Sequence, residues 1–190
     1  MASVVEICNR ALDKLGEPPI VSLDDDVKAS RACARLFAAV RDAVLRDHPW
    51  NCAIARALLP AEAQAPAWGF ARAFPLPVDC LRVLAVAPDD GGPEPRWTVE
   101  GRAVLTDAPA PLAIRYLRRI ADPNLFDPLL AEALAARLAL ELCEALTQSN
   151  TKRQLLADDN DAVLARARAA DGQEGVPPAP AESPWVLARR

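Results

Sequence analysis

The chain has 190 residues, is 52% hydrophobic, and can bury about 70% of its unfolded surface as one domain, or one domain with a small insertion. A net charge of -4 and a pI near 5.1 argue against a dedicated nucleic-acid binder, which carries a basic patch. Its five cysteines are odd in number and form no C-x-x-C pair, which argues against a zinc ribbon or a thioredoxin-like site and points to reduced, buried thiols in a chain made in the cytosol.

The first element is announced by Ser3-Val4-Val5-Glu6, a capping box at a helix start. Val4, Ile7, Cys8, Ala11 and Leu15 then share one helical face, which predicts a helix over about 4–15. Gly16 supplies the left-handed residue that ends it, and Pro18-Pro19 prevents a restart. Asp24-Asp25-Asp26 precedes a second periodic run, where carboxylates favour the positive end of a helix dipole. Val27, Ala34, Phe37, Val40 and Val44 carry that run to His48, where Pro49 disfavours helical geometry.

From Trp50 to Ile120 prolines become dense and long helices are excluded. Leu81–Val86 reads as a strand, and Trp97–Val99, Glu100-Gly101 and Ala103–Thr106 read as a hairpin. Ala113–Leu117 alternates, with Ile114 and Tyr116 on one side. Asp127-Pro128 then restarts helix, with Asp as N-cap and Pro in the first turn. Leu130, Leu134, Leu138, Leu142 and Leu146 repeat every fourth residue, so this helix is expected at the centre of the helical core. It is interrupted by Arg137, Glu141 and Glu144, too charged and short an apolar run to span a bilayer. Ser149-Asn150 opens a last helix over about 151–170, closed by Asp171-Gly172. No secretory leader is expected, because the N-terminus lacks a basic segment followed by an apolar run.

These elements predict an α+β, mainly α fold. The expected architecture is a four-helix bundle from residues 1–50 and 122–172, a small antiparallel β-rich insertion over 51–121, and an extended C-terminal docking tail over 173–190.

Tests for chemistry return little. His48 is the single histidine and no G-x-S-x-G flanks a serine, so a structural or capping role is expected for it. One histidine cannot build a di-iron bundle, and Asp158-Asp159-Asn160-Asp161 lacks the central Gly and terminal Glu of a calcium loop. Glu132, Glu141 and Glu144 resemble paired acids only until Arg137 is noticed one helical turn before Glu141. The seven glycines form no phosphate-binding loop. No catalytic, cofactor-binding or metal-binding residue is assigned, and a non-enzyme is expected.

One segment stands out. Trp185, Val186, Leu187, Arg189 and Arg190 follow a proline-rich tether, and Trp and Arg dominate interface hot spots. They are the candidate partner interface. The same tail folding back on its own domain is the alternative, since burying Trp185 is favourable either way.

Several stretches in order resemble one family. They are Ile7-Cys8-Asn9-Arg10-Ala11-Leu12 with Leu15-Gly16-Glu17; Arg41-Asp42 through Leu45 to His48-Pro49-Trp50-Asn51; and Phe74 with Leu76-Pro77-Val78-Asp79-Cys80-Leu81-Arg82-Val83. Ile114-Arg115-Tyr116 and Trp185 with Ala188-Arg189 complete the set. The chain resembles the tail tubular protein A family of short-tailed bacteriophages and related head-tail adaptors, or connectors. That resemblance implies a structural virion protein without cofactors: a homo-oligomeric ring of about twelve copies between the portal protein and the next tail component, a nozzle or stopper/tail tube protein. DNA would pass through its lumen without specific binding, and the protein would sit at the head-tail junction after synthesis in the host cytoplasm. The competing reading is a small bacterial helical interaction or regulatory module without catalysis.

Overall fold

The computed structural model describes residues 3–88 and 93–175. Helix α1 (Val4–Leu15) starts where Ser3 Oγ accepts the Glu6 backbone N–H at 3.0 Å. Only half of the expected capping box forms, because the Glu6 carboxylate pairs with Arg10 one turn on, at 3.2 Å. Gly16 ends α1 at φ 73°, a conformation that disfavours any side chain. The Lys152 ammonium also bonds the Leu15 carbonyl, placing a cation at the negative end of the α1 dipole.

Helix α2 (Lys28–Asp47) has Val27 at its N-cap and no side-chain cap. The aspartate triplet works one step earlier than its sequence suggested. Asp25 accepts the backbone N–H groups of Val21 and Ser22, and Asp26 pairs with Arg31 in the first turn of α2. The connection is also held by Asn9, whose carboxamide both donates to and accepts from the Ile20 backbone, at 2.9 and 2.8 Å.

Helix α3 (Pro128–Thr147) begins with Asp127 Oδ1 accepting from Leu129 and Leu130 N–H. Leu130, Leu134, Leu138 and Leu142 are almost completely excluded from solvent. Helix α4 (Asn150–Gly172) is capped by Ser149, ends at the expected Asp171-Gly172 pair, and is tied to α1 by the Lys14–Asp159 ion pair at 2.7 Å. Among the described residues no helix is long and apolar enough to cross a membrane.

Six strands occupy the middle of the chain: β1 (Ile54–Leu59), β2 (Arg72–Pro75), β3 (Cys80–Val86), β4 (Trp97–Glu100), β5 (Ala103–Thr106) and β6 (Leu112–Arg118). They build two antiparallel three-stranded sheets, ordered β1-β6-β3 and β2-β5-β4. The expected hairpin is β4–β5, turning at Gly101 with φ 57°. The sheets stack face to face over Leu59, Phe74, Cys80, Val83, Val86, Val104, Leu112, Ile114 and Tyr116.

This arrangement corrects the expected architecture. The chain is α+β, but it is not a four-helix bundle with a small β insertion. Helix α3 packs on α1, α2 and α4, while α1 and α2 barely meet. Part of the helical core is instead closed by the β1-β6-β3 sheet: α2 lies on β3, and Leu117, Ile54, Leu81 and Leu84 share the helical core. The physical reason is the residue supply. The strand segments carry enough alternating apolar positions to build an inter-sheet core of their own and still present a second apolar row to the helices.

Candidate functional site

The stretch His48-Pro49-Trp50-Asn51 leaves α2 and turns sharply toward β1. Trp50 is fully buried, and its indole N–H donates to the Val44 carbonyl at 2.9 Å. The His48 ring meets Trp50 edge to face, with centroids 4.7 Å apart. Asp171, near the end of α4, clamps the stretch. Its carboxylate lies 3.0 Å from His48 Nε2 and accepts the Asn51 backbone N–H at 2.9 Å, while the Asn51 carboxamide donates to the Asp171 carbonyl at 2.7 Å. The clamp joins the start of the β layer to the far end of the helical layer.

Of the groups weighed for chemistry in the sequence, His48 belongs to the clamp, while the acidic ones stand elsewhere with partners of their own. Glu141 pairs with Arg137 at 2.7 Å, Glu132 with Arg166 at 2.6 Å, and Glu144 with Arg153 at 3.9 Å. Asp159 pairs with Lys14, Asp158 accepts from Gln154, and Asp161 accepts from Asn160. Cys52, next to the clamp, is pushed up from the ordinary thiol range, chiefly by burial, the opposite of an activated nucleophile. Cys8 is pushed up by its hydrogen bond to the Cys33 thiol and by burial. Among the described residues no group of His, Cys, Asp and Glu side chains is arranged to hold a metal ion.

Among the described residues, two sheet faces carry depressions edged by exposed apolar side chains. The first lies on the β1-β6-β3 sheet. Strand pairing sets Ile54 opposite Leu117, Arg56 opposite Arg115 and Leu58 opposite Ala113. These residues alternate with Ala55, Ala57, Ile114 and Tyr116 of the inter-sheet core, so they share the opposite face. Helices cover the first row, where Leu117 is inaccessible, and stop there. The next rows hold Arg56, Arg115, Leu58, Ala85, Ala87 and Ala113 around a depression of about 450 Å³, with Leu58 68% exposed. A neighbouring depression of about 300 Å³ shares Arg115 and is lined by His48, Ile54, Leu84, Asp171 and Gly175.

The second face is the outer surface of the β2-β5-β4 sheet. Ala73, Thr98, Glu100, Ala103 and Leu105 line a groove of about 720 Å³ beneath the loop that carries Trp68 and Phe70. Trp68 is 87% exposed beside Gly69 at φ 89°, and the Arg96 guanidinium lies 5.0 Å from the Phe70 ring centroid. Trp97 packs against the inter-sheet core and donates its indole N–H to Glu94 at 2.9 Å.

The candidate interface residues Trp185, Val186, Leu187, Arg189 and Arg190 lie outside the described residues, as does all but the first three positions of the 173–190 tail. The two described faces were not singled out in the sequence. A signal for Trp68 existed: with Phe70 it places two large aromatics in a loop otherwise made mostly of alanine and proline. Arg56 and Arg115 gave none, because their opposition depends on the strand register.

No protein-family model matches the chain, and no curated protein matches it either.

Proposed function

We propose that the chain is a structural assembly subunit, specifically a head-to-tail adaptor of a tailed bacteriophage. In this reading about twelve copies close into a ring between the portal and the next tail component, and DNA passes through the lumen. The observation that carries the reading is the ordered series of family-like stretches running from Ile7 to Arg189. Its support in the fold is the use to which those stretches are put. Ile7, Cys8, Ala11 and Leu12 are core; His48-Pro49-Trp50-Asn51 is the clamped joint between helices and sheets; Cys80 and Val83 anchor β3. Such residues define a shape rather than a reaction, which is what a ring subunit requires.

The charge fits a conduit. A ring multiplies the net charge of -4 carried by each copy, and an acidic lumen would not retain phosphates. Closed symmetry lets many weak subunit contacts act together, so the free subunit is expected to be monomeric or loosely associated and to assemble on a portal template. The test mixes the purified chain with portal rings from the same genome at micromolar concentration and images the particles by negative stain. Stacked rings with an extra density layer below the portal are expected. Unaltered portals and free subunit would count against the adaptor and favour a non-catalytic interaction module.

A further inference from the structure

The uncovered part of the β1-β6-β3 sheet places two like charges in direct opposition. Arg56 and Arg115 are register partners on antiparallel strands, an arrangement that costs stability unless a counter-charge meets it. Among the described residues neither guanidinium lies within ion-pair distance of a carboxylate. The floor around them is small and apolar: Ala85, Ala87 and Ala113, with Leu58 beside them. A flat apolar strip with paired cations at its middle fits an extended apolar segment that carries one carboxylate.

We propose that residues 176–184 of the same chain lie along this face, with the Glu182 carboxylate between Arg56 and Arg115. Three observations name the occupant. The chain leaves α4 at the right place, because Gly175 lines the depression that shares Arg115 with this face. The reach is sufficient: the seven residues from Gly175 to Glu182 span about 22 Å in an extended polyproline conformation. The chemistry is complementary, because Glu182 is the one carboxylate side chain between Gly175 and Arg190, and it sits among Val176, Pro177, Pro178, Ala179, Pro180, Ala181 and Pro184. A proline-rich segment has no helix or strand ladder to form and can lie on a sheet face using its rings alone. This contact does not depend on the adaptor reading, and it is tested without any partner.

The experiment uses the full chain with Leu58→Cys and follows maleimide labelling of the introduced thiol by peptide mass spectrometry. Trp68→Cys in a second full chain serves as the exposed reference. The thiol at position 58 is expected to label roughly tenfold more slowly than the reference, as for a face covered nine-tenths of the time. The rate should not change on tenfold dilution. Adding Glu182→Arg should raise it toward the reference, and adding Arg115→Glu to that variant should slow it again. Equal labelling of the two sites with Glu182 intact would overturn the proposal. So would protection that disappears on dilution, which assigns the face to a second copy, or protection that requires added duplex DNA, which assigns the arginines to phosphates.

Discussion

Asp171 illustrates how much one side chain can hold. Its two carboxylate oxygens serve His48 and the Asn51 backbone, and its side chain is only 8% exposed. Replacing it with Ala leaves the half-buried His48 without its partner, while the exposed Asn51 N–H can turn to water. Asp171→Ala is therefore expected to lower unfolding stability by about 1.5–2 kcal/mol, the low end of the range for hydrogen bonds to a charged group. Urea titration checks this against Asp158→Ala on the solvated side of the same helix, where the change should stay within about 0.5 kcal/mol. The clamp was not legible in the sequence, because Asp171 and Asn51 are separated by 120 positions: Asn51 closes one family-like stretch, Asp171 belongs to a helix stop, and nothing local joins the two.

Buried acids set a second expectation at this scale. Burial pushes Cys52, Cys80 and Tyr116 above their ordinary ranges, and Tyr116 is pushed further by Asp79, to which its hydroxyl donates at 3.3 Å. In the unfolded chain these groups lose their protons first. Each therefore contributes stability that is full below its unfolded pKa and is lost as the pH climbs through the folded value. Urea midpoints should hold steady near neutrality and fall as the pH rises past about 8.5, where free thiols ionise. Tyr116→Phe should flatten the part of the fall above about pH 10, the range of a free phenol. An unchanged slope in that variant would show that Tyr116 does not contribute to it.

Among the elements, α3 is the one the others are built around. It packs on α1, α2 and α4, and its leucines at 130, 134, 138 and 142 are fully buried. Leu138→Ala should cost about 2–5 kcal/mol in urea unfolding, whereas Leu155→Ala on α4, 65% exposed, should cost less than about 0.5 kcal/mol. A small effect at Leu138 would mean that the helical core collapses around the lost volume. The helices were legible because their apolar periodicity, caps and stops are local: Ser3, Gly16, Asp127 and Ser149 each stand at the helix end where the pattern places them.

The strands were legible only in part, and for physical reasons. β3, β4, β5 and β6 carry alternation or a turn glycine. β1 reads Ile-Ala-Arg-Ala-Leu-Leu, which suits a helix as well as a strand, and β2 is four residues ending in Pro75. Their membership in separate sheets follows from partners far along the chain, with Ile54 paired to Leu117 and Arg72 to Thr106. Local pattern cannot distribute six short strands between two sheets. It also cannot reveal that one of those sheets would replace a helix–helix contact, the point on which the expected bundle fails.

At the scale of the whole molecule, the layers run from helices through the β1-β6-β3 sheet to the β2-β5-β4 sheet, and the Trp68 loop lies over the outermost face. A tryptophan left 87% exposed contributes almost nothing to the subunit's own fold, because it removes little apolar surface from water. The same exposure makes it a candidate anchor, since tryptophan in a partner's pocket ranks among the strongest interface contacts. Trp68→Ala is thus expected to leave the thermal midpoint and the far-UV spectrum of the isolated chain unchanged. In the proposed assembly it should weaken ring formation or portal binding by roughly thirtyfold, the factor for a hot-spot loss of about 2 kcal/mol. Sedimentation velocity with and without portal rings measures both quantities on one sample. If Trp68→Ala assembles like the parent chain, the outer groove plays no part in assembly. The subunit contacts would then come from another part of the surface, where the exposed apolar candidates among the described residues include Val21, Val27, Leu58, Val78, Leu125 and Leu155.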